Sequence, residues 1–144
     1  MFAIDTNILV YAHFERYPQH RKARQFCQER LFGADEWCLA WQVCYEYVRI
    51  ATHPAVHDEP LTFAAALADL RPYLAARTCH VLAHGPGHLQ TLEALVRQLP
   101  QARGNFVHDC HYAALLRDHG VRTIYTADQD FRRFDFLEVI DPTT

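Results

Sequence analysis

Short apolar runs alternate with longer amphipathic stretches along this chain, and that alternation sets the expected elements. Residues 2–4, 37–40, 79–82, 123–125 and 137–140 read as five short buried strands. Helical stretches separate them. Asp5-Thr6-Asn7 can cap a first helix over residues 8 to about 14, and Pro18 suits the first turn of a second helix that reaches about Leu31. Residues 41–52 form a third, stopped by His53-Pro54. Thr62 caps an Ala-rich fourth helix, which Pro72 is expected to end or kink. Gly85-Pro86-Gly87 breaks the chain before a helix over residues 88 to about 99. Gly104-Asn105 opens another over residues 106 to about 119, closed by Gly120, and a short helical turn covers residues 128–133.

Short strands alternating with helices predict an α/β fold, a three-layer α/β/α sandwich around a five-stranded parallel sheet. In such folds ligands bind at the carboxyl ends of the strands. Asp5 follows the first strand directly, and Asp128 follows the fourth within Thr126-Ala127-Asp128-Gln129-Asp130. Asp109 falls in the first turn of a helix entering the same edge. Glu46 borders the apolar stripe of Val43, Tyr47 and Ile50, where a carboxylate needs a partner. Four acids converging in one cleft repel each other, and a divalent cation relieves the conflict. Each acid also has an ordinary structural reading. Asp5 and Asp128 can serve as caps, Asp109 can complement a helix dipole, and Glu46 can pair with Arg49. Their joint placement on one sheet edge favours a shared site.

Composition narrows the chemistry. The 144 residues suit one domain spanning 1–144, and half of them are hydrophobic, enough to build a core without staples. A formal net charge of −3 argues against gripping nucleic acid by overall charge. The sequence contains no serine, which removes a Ser-His-Asp hydrolase, and Lys22 is its only lysine. Five cysteines without a C-x-x-C pair read as buried reduced thiols. The N-terminus lacks the features of a signal peptide, and no apolar run is long enough for a bilayer, so the expected compartment is the cytoplasm.

At these acids the chain resembles the PIN-domain nucleases, and closely the VapC-type toxins of bacterial toxin–antitoxin pairs. The opening Met1-Phe2-Ala3-Ile4-Asp5-Thr6-Asn7-Ile8-Leu9-Val10 is similar to the family's first motif. Cys44-Tyr45-Glu46-Tyr47-Val48-Arg49 resembles its helical glutamate segment. Asn105-Phe106-Val107-His108-Asp109, with Ala113-Ala114, and Thr126-Ala127-Asp128-Gln129-Asp130-Phe131 resemble its last two acidic motifs. The resemblance implies Mg²⁺- or Mn²⁺-dependent cleavage of a structured cellular RNA such as a tRNA by metal-activated water. It also implies a homodimer, an antitoxin that blocks the site, and contact with DNA only through that antitoxin. Carried over, Asp5 and Asp109 are the leading metal ligands, and Glu46 and Asp128 complete the pocket. Asn7 and Thr126 would hold neighbouring carboxylates or substrate, and Asp130 is either an extra acid or a surface cap.

Other features have two readings each. Arg16, Arg21, Lys22, Arg24, Arg132 and Arg133 can meet RNA phosphates or form a solvated face. Tyr11, Phe14 and Tyr17 can stack on bases, with packing or a partner contact the better reading. Ten histidines include the spaced pairs His53/His57, His84/His88 and His108/His111, none in an H-E-x-x-H pattern, which weighs against zinc. An aspartyl-phosphate phosphatase is a rival, weakened because Asn7 stands where a second Asp is wanted and Lys22 is poorly placed. A non-catalytic co-repressor acting with an antitoxin is the rival from another class.

Overall fold

The computed structural model describes residues 1–144. Its elements run β1 (Phe2–Ile4), α1 (Thr6–His13), α2 (His20–Phe26), β2 (Trp37–Ala40), α3 (Trp41–Ala51), α4 (Phe63–Ala75), β3 (Cys79–Leu82), α5 (His88–Arg97), α6 (Phe106–Asp118), β4 (Thr123–Tyr125) and β5 (Glu138–Ile140). All strand pairs are parallel, in the spatial order β3-β2-β1-β4-β5. Every residue of β1 and β2 is buried, as continuous apolar strands between two helical layers should be. The edge strands β3 and β5 carry exposed residues.

The strand order creates the site. From β1 the chain steps to β2 and β3 on one side, then crosses back to place β4 and β5 on the other. Right-handed crossovers running in opposite directions put their helices on opposite faces. Accordingly α1 packs with α2 and α3, and α3 with α4, while α5 packs with α6. A crevice opens where the direction reverses, between the carboxyl ends of β1 and β4. Ala3 pairs with Ile124 and Ile4 with Tyr125, and the Asp5 N–H continues the pairing to the Tyr125 carbonyl at 3.1 Å. Asp5 and Thr126 therefore leave the sheet side by side. The buried Tyr112 hydroxyl donates to the Ile4 carbonyl at 2.8 Å and fixes α6 over β1.

The elements match the apolar pattern, with four local differences. Helix α1 starts at Thr6 because Asp5 itself is the N-cap. Helix α2 starts at His20, two residues after Pro18, and passes into a π-helical turn over Cys27–Leu31. Helix α4 runs through Pro72 to Ala75. Pro72 falls in its last turn, so the helix ends three residues later and the missing N–H removes only one bond near that end. Leu137 lies outside β5, because its N–H is taken by the Phe134 carbonyl at 3.0 Å. Helix α6 closes as expected at Gly120, whose φ is +69°. Gly120 N–H reaches the Arg117 carbonyl and Val121 N–H the Leu116 carbonyl, the two bonds of a Schellman motif.

One cluster of 37 buried hydrophobic residues links both helical layers to the sheet, so the core needs no covalent staple. All five cysteines are free. Burial pushes the Cys27 and Cys38 thiols up to about 12 and those of Cys44 and Cys79 up to about 11, which keeps them protonated and unreactive. No helix is long and apolar enough to cross a membrane.

Candidate functional site

Asp5 stands at the floor of the crevice inside a closed set of hydrogen bonds. Its Oδ1 accepts the Thr6 N–H at 2.7 Å. Its Oδ2 accepts the Asn7 amide at 2.9 Å and the Thr126 hydroxyl at 2.7 Å. Thr126 spends its single proton on Asp5 and accepts from the Asn7 amide at 3.0 Å and the Asp128 N–H at 2.9 Å. The Asn7 carbonyl oxygen takes the Ala127 N–H at 3.1 Å. Asn7 and Thr126 thus lock the β1 and β4 ends together, and every polar atom of the lock has a defined role as donor or acceptor. Thr6, the neighbour of Asp5, donates its hydroxyl to Glu46 at 3.0 Å, which ties α3 to the same floor.

The remaining acids come from the other side. Asp109 projects from the first turn of α6, and Asp128 caps the 3₁₀ turn Gln129–Arg133 by accepting the Asp130 N–H at 2.9 Å. Asp109, Asp128 and Asp130 each offer a carboxylate oxygen, and these oxygens lie within 4.8 Å of one another. Asp5 and Glu46, outside this tightest group, line one space together with Asp109 and Asp128, the four acids that the resemblance implies. Asp130 belongs to the tightest group by distance and is exposed, so it keeps both readings, an extra acid and a surface residue.

Electrostatics follows from the crowding. None of Asp5, Asp109, Asp128 or Asp130 is ion-paired, and Glu46 has only Arg49 at 3.9 Å. Burial, supported by the charges of Glu46 and Asp128, raises the Asp5 carboxyl to about 6 despite the opposing hydrogen bonds from Thr126 and Thr6. Burial raises Asp109 to about 7, with Asp128, Asp5, Glu46 and Asp130 adding repulsion. Acids held together without a counter-charge must take up protons or a cation. The donors are all carboxylate oxygens, the chemistry that suits a hard divalent ion. The residues therefore fit such a group.

Two connected spaces meet at these acids. An inner cavity of about 230 Å³ is lined by Asp5, Asn7, Tyr11, Tyr17, Glu46, Asp109 and Asp128 among others. An outer groove of about 660 Å³ shares Glu46, Asp109 and Asp128 with it and adds Gln42, Tyr45, Arg49 and His108. These outer residues were not singled out as a wall by the sequence. Gln42, Tyr45, Glu46 and Arg49 recur at helical spacing on α3, so the signal was present in the periodicity around Glu46. Tyr11 and Tyr17 line the inner cavity, whereas Phe14 stacks on His57 instead. Of the basic residues marked in the sequence, all six are exposed and none lines either space. Two of them touch lining residues: Arg133 lies 3.9 Å over the ring of Phe106 at the groove wall, and Arg16 lies 5.0 Å over the ring of Tyr17.

Comparison with known proteins agrees with this architecture. The PIN domain family model matches residues 2–137. The chain belongs to the PIN-domain family. Within that family it is similar to several VapC proteins of Mycobacterium tuberculosis. Ribonuclease VapC33 is 32% identical over 99% of this chain and 98% of its own, and Ribonuclease VapC48 is 30% identical over 96% and 94%. Among solved structures, VapC20 of the same organism, described as a Sarcin-Ricin loop cleaving toxin, superposes with a TM-score of 0.70 at 21% identity over 98% of this chain and all of its own. The VapBC2 complex of Rickettsia felis, bound to a DNA fragment from its promoter, gives 0.64 at 15% over 96% of both chains. The fold shared with these structures is the parallel sheet described above.

Proposed function

We propose that the chain is the toxin of a type II toxin–antitoxin pair and an endoribonuclease that cuts a structured cellular RNA such as a tRNA. The observation that carries this reading is the set of carboxylates where the inner cavity opens into the groove, countered by no cation but Arg49 at 3.9 Å from Glu46. Membership of a family whose relatives are named ribonucleases supports it. In this reading Asp5 and Asp109 lead in holding a Mg²⁺ or Mn²⁺ ion, Glu46 and Asp128 complete the pocket, and Asp130 is an extra acid beside Asp109 and Asp128. Asp5 can act as a ligand because its Oδ1 accepts only the Thr6 N–H and keeps a lone pair free. Bound there, the ion would lower the pKa of water and neutralise phosphate charge.

The protein's own groups do the positioning. Asn7 and Thr126 fix the Asp5 carboxylate, and Thr6 fixes Glu46. Arg49 on the groove wall meets a phosphate beside the scissile one, and the exposed Tyr45 offers a ring for a base. Water adds to phosphorus, the bond to the 3′ oxygen breaks, and the products carry a 5′-phosphate and a 3′-hydroxyl. The protein works in the cytoplasm as a homodimer, held inactive by its antitoxin, and meets DNA only through that partner.

End-group analysis of the RNA fragments tests the chemistry. Fragments should be degraded by an exonuclease that requires a 5′-monophosphate. A 2′,3′-cyclic phosphate on the upstream fragment would contradict hydrolysis by water.

A further inference from the structure

Away from the acids, three histidines converge that the sequence did not group. His84 lies in the β3–α5 connection, His88 is the first residue of α5, and His111 lies on α6. Each offers a ring nitrogen, and the three nitrogens fall within 4.8 Å of one another. His84 and His111 stack with ring centroids 4.7 Å apart, and their Nε2 atoms face each other. His88 closes the group edge-on to both, with centroids at 4.4 Å from His84 and 5.4 Å from His111. Two imidazole nitrogens that face each other need a proton or a cation between them.

An outer carboxylate is also in place. His88 Nδ1 is buried without a hydrogen bond, and the Asp118 carboxylate is 3.4 Å from it. The two side chains are only 20% and 19% exposed, so water does not dominate the contact. Thr91 donates its hydroxyl to the other oxygen of Asp118 and so orients it. A carboxylate behind one imidazole nitrogen sets the tautomer that presents the other nitrogen to a metal. With Nδ1 turned to Asp118, Nε2 is the nitrogen His88 can offer. The connection itself is anchored, because the His119 ring meets the Ala83 carbonyl at 2.8 Å.

We propose that His84, His88 and His111 form a second metal site, for a borderline divalent ion such as Zn²⁺, that clamps the β3–α5 connection to α6. Three imidazoles with water in the fourth position make a complete tetrahedral set for Zn²⁺, whereas Mg²⁺ prefers oxygen donors. At Zn–N distances of about 2.0–2.1 Å the ligand nitrogens stand about 3.3 Å apart, so the ring pair has only to part slightly. His84 is exposed, so a shift of that amount displaces solvent and not the core. The site is separate from the acidic one. His111 and Asp109 are two residues apart on α6, about 200° around the helix, and so project to nearly opposite sides. The sequence conceals the site because the third ligand is 23 residues from the second, on another helix.

Zn²⁺ titration of the metal-stripped full chain against a chromophoric chelator tests this, with Co²⁺ absorption to report tetrahedral nitrogen coordination. Wild type and Asp109→Asn should each bind one Zn²⁺ tightly and gain thermal stability from it. His84→Gln, at an exposed loop position where folding is not in question, should lose the site and the gain. Asp118→Asn should weaken binding by about tenfold to a hundredfold, the usual effect of losing an outer-shell partner. Unchanged Zn²⁺ affinity in His84→Gln would overturn the proposal. So would loss of binding in Asp109→Asn with retention in His84→Gln, which would assign the ion to the acids.

Discussion

Replacing Asp109 by Asn should make the metal-free protein more stable at neutral and alkaline pH. The Asp109 side chain makes no hydrogen bond, so the amide loses no partner, while the charge it removes faces Asp128, Asp5, Glu46 and Asp130. Its carboxyl is raised from 3.8 to about 7 in the fold. A shift of this size corresponds to about 4 kcal/mol if taken at full value. The side chain is only partly buried, so solvent screening reduces this to roughly 1–2 kcal/mol. The sign follows from proton uptake: between pH 4 and pH 7 the folded chain holds a proton that the unfolded chain has released, so stability falls as pH rises. Below that window the group costs nothing, and above it the penalty is constant. Asp109→Asn should therefore match wild type near pH 4 and exceed it at pH 8 by roughly 1–2 kcal/mol, or about 3–7 °C in melting temperature. Thermal and urea melts in EDTA at both pH values measure this. Excess Mg²⁺ should stabilise wild type more than the variant. A variant no more stable than wild type at pH 8 would refute the claim that these carboxylates repel one another in the fold.

Other perturbations test separate parts of the structure. Thr126→Val removes the hydroxyl shared by Asp5, Asn7 and the Asp128 N–H, and should cost about 1–3 kcal/mol in melts. RNA cleavage by that variant should fall at least about tenfold under the same logic of lost positioning. Gly120→Ala places a side chain at φ +69° with no atom nearby to clash. Its expected cost of about 1 kcal/mol is purely conformational and should appear as a lower urea midpoint. Tyr112→Phe deletes the buried hydrogen bond to the Ile4 carbonyl and should lower stability by about 1 kcal/mol in the same assay.

Much of this was legible in the chain because local signals agreed with the global fold. The strands of residues 2–4 and 37–40 are wholly apolar because both faces are covered, so their pattern was unambiguous. Asp5 and Asp128 could be placed on one edge because Asp5 directly follows the first strand and Asp128 comes three residues after the end of the fourth. The strand order could not be read, since parallel pairing depends on crossovers that leave no local trace. Without that order the neighbouring exits of Asp5 and Thr126, and hence the role of Asn7 between them, stayed at the level of resemblance. Pro72 marks the last turn of α4 but not its final residue, because the bond a proline removes costs less there than in the helix interior. The His84–His88–His111 group was invisible for the same reason as the strand order. Spacing within a helix is local, whereas the approach of α5 to α6 is not.

The most direct test of the nuclease reading is incubation of the partner-free protein with total cellular RNA in Mg²⁺, Mn²⁺ or EDTA, beside Asp109→Asn and Asp5→Asn. Discrete fragments that require the divalent ion and disappear in both variants are the expected result. Metal-independent cleavage, or no cleavage at all by protein shown to be folded, would contradict it.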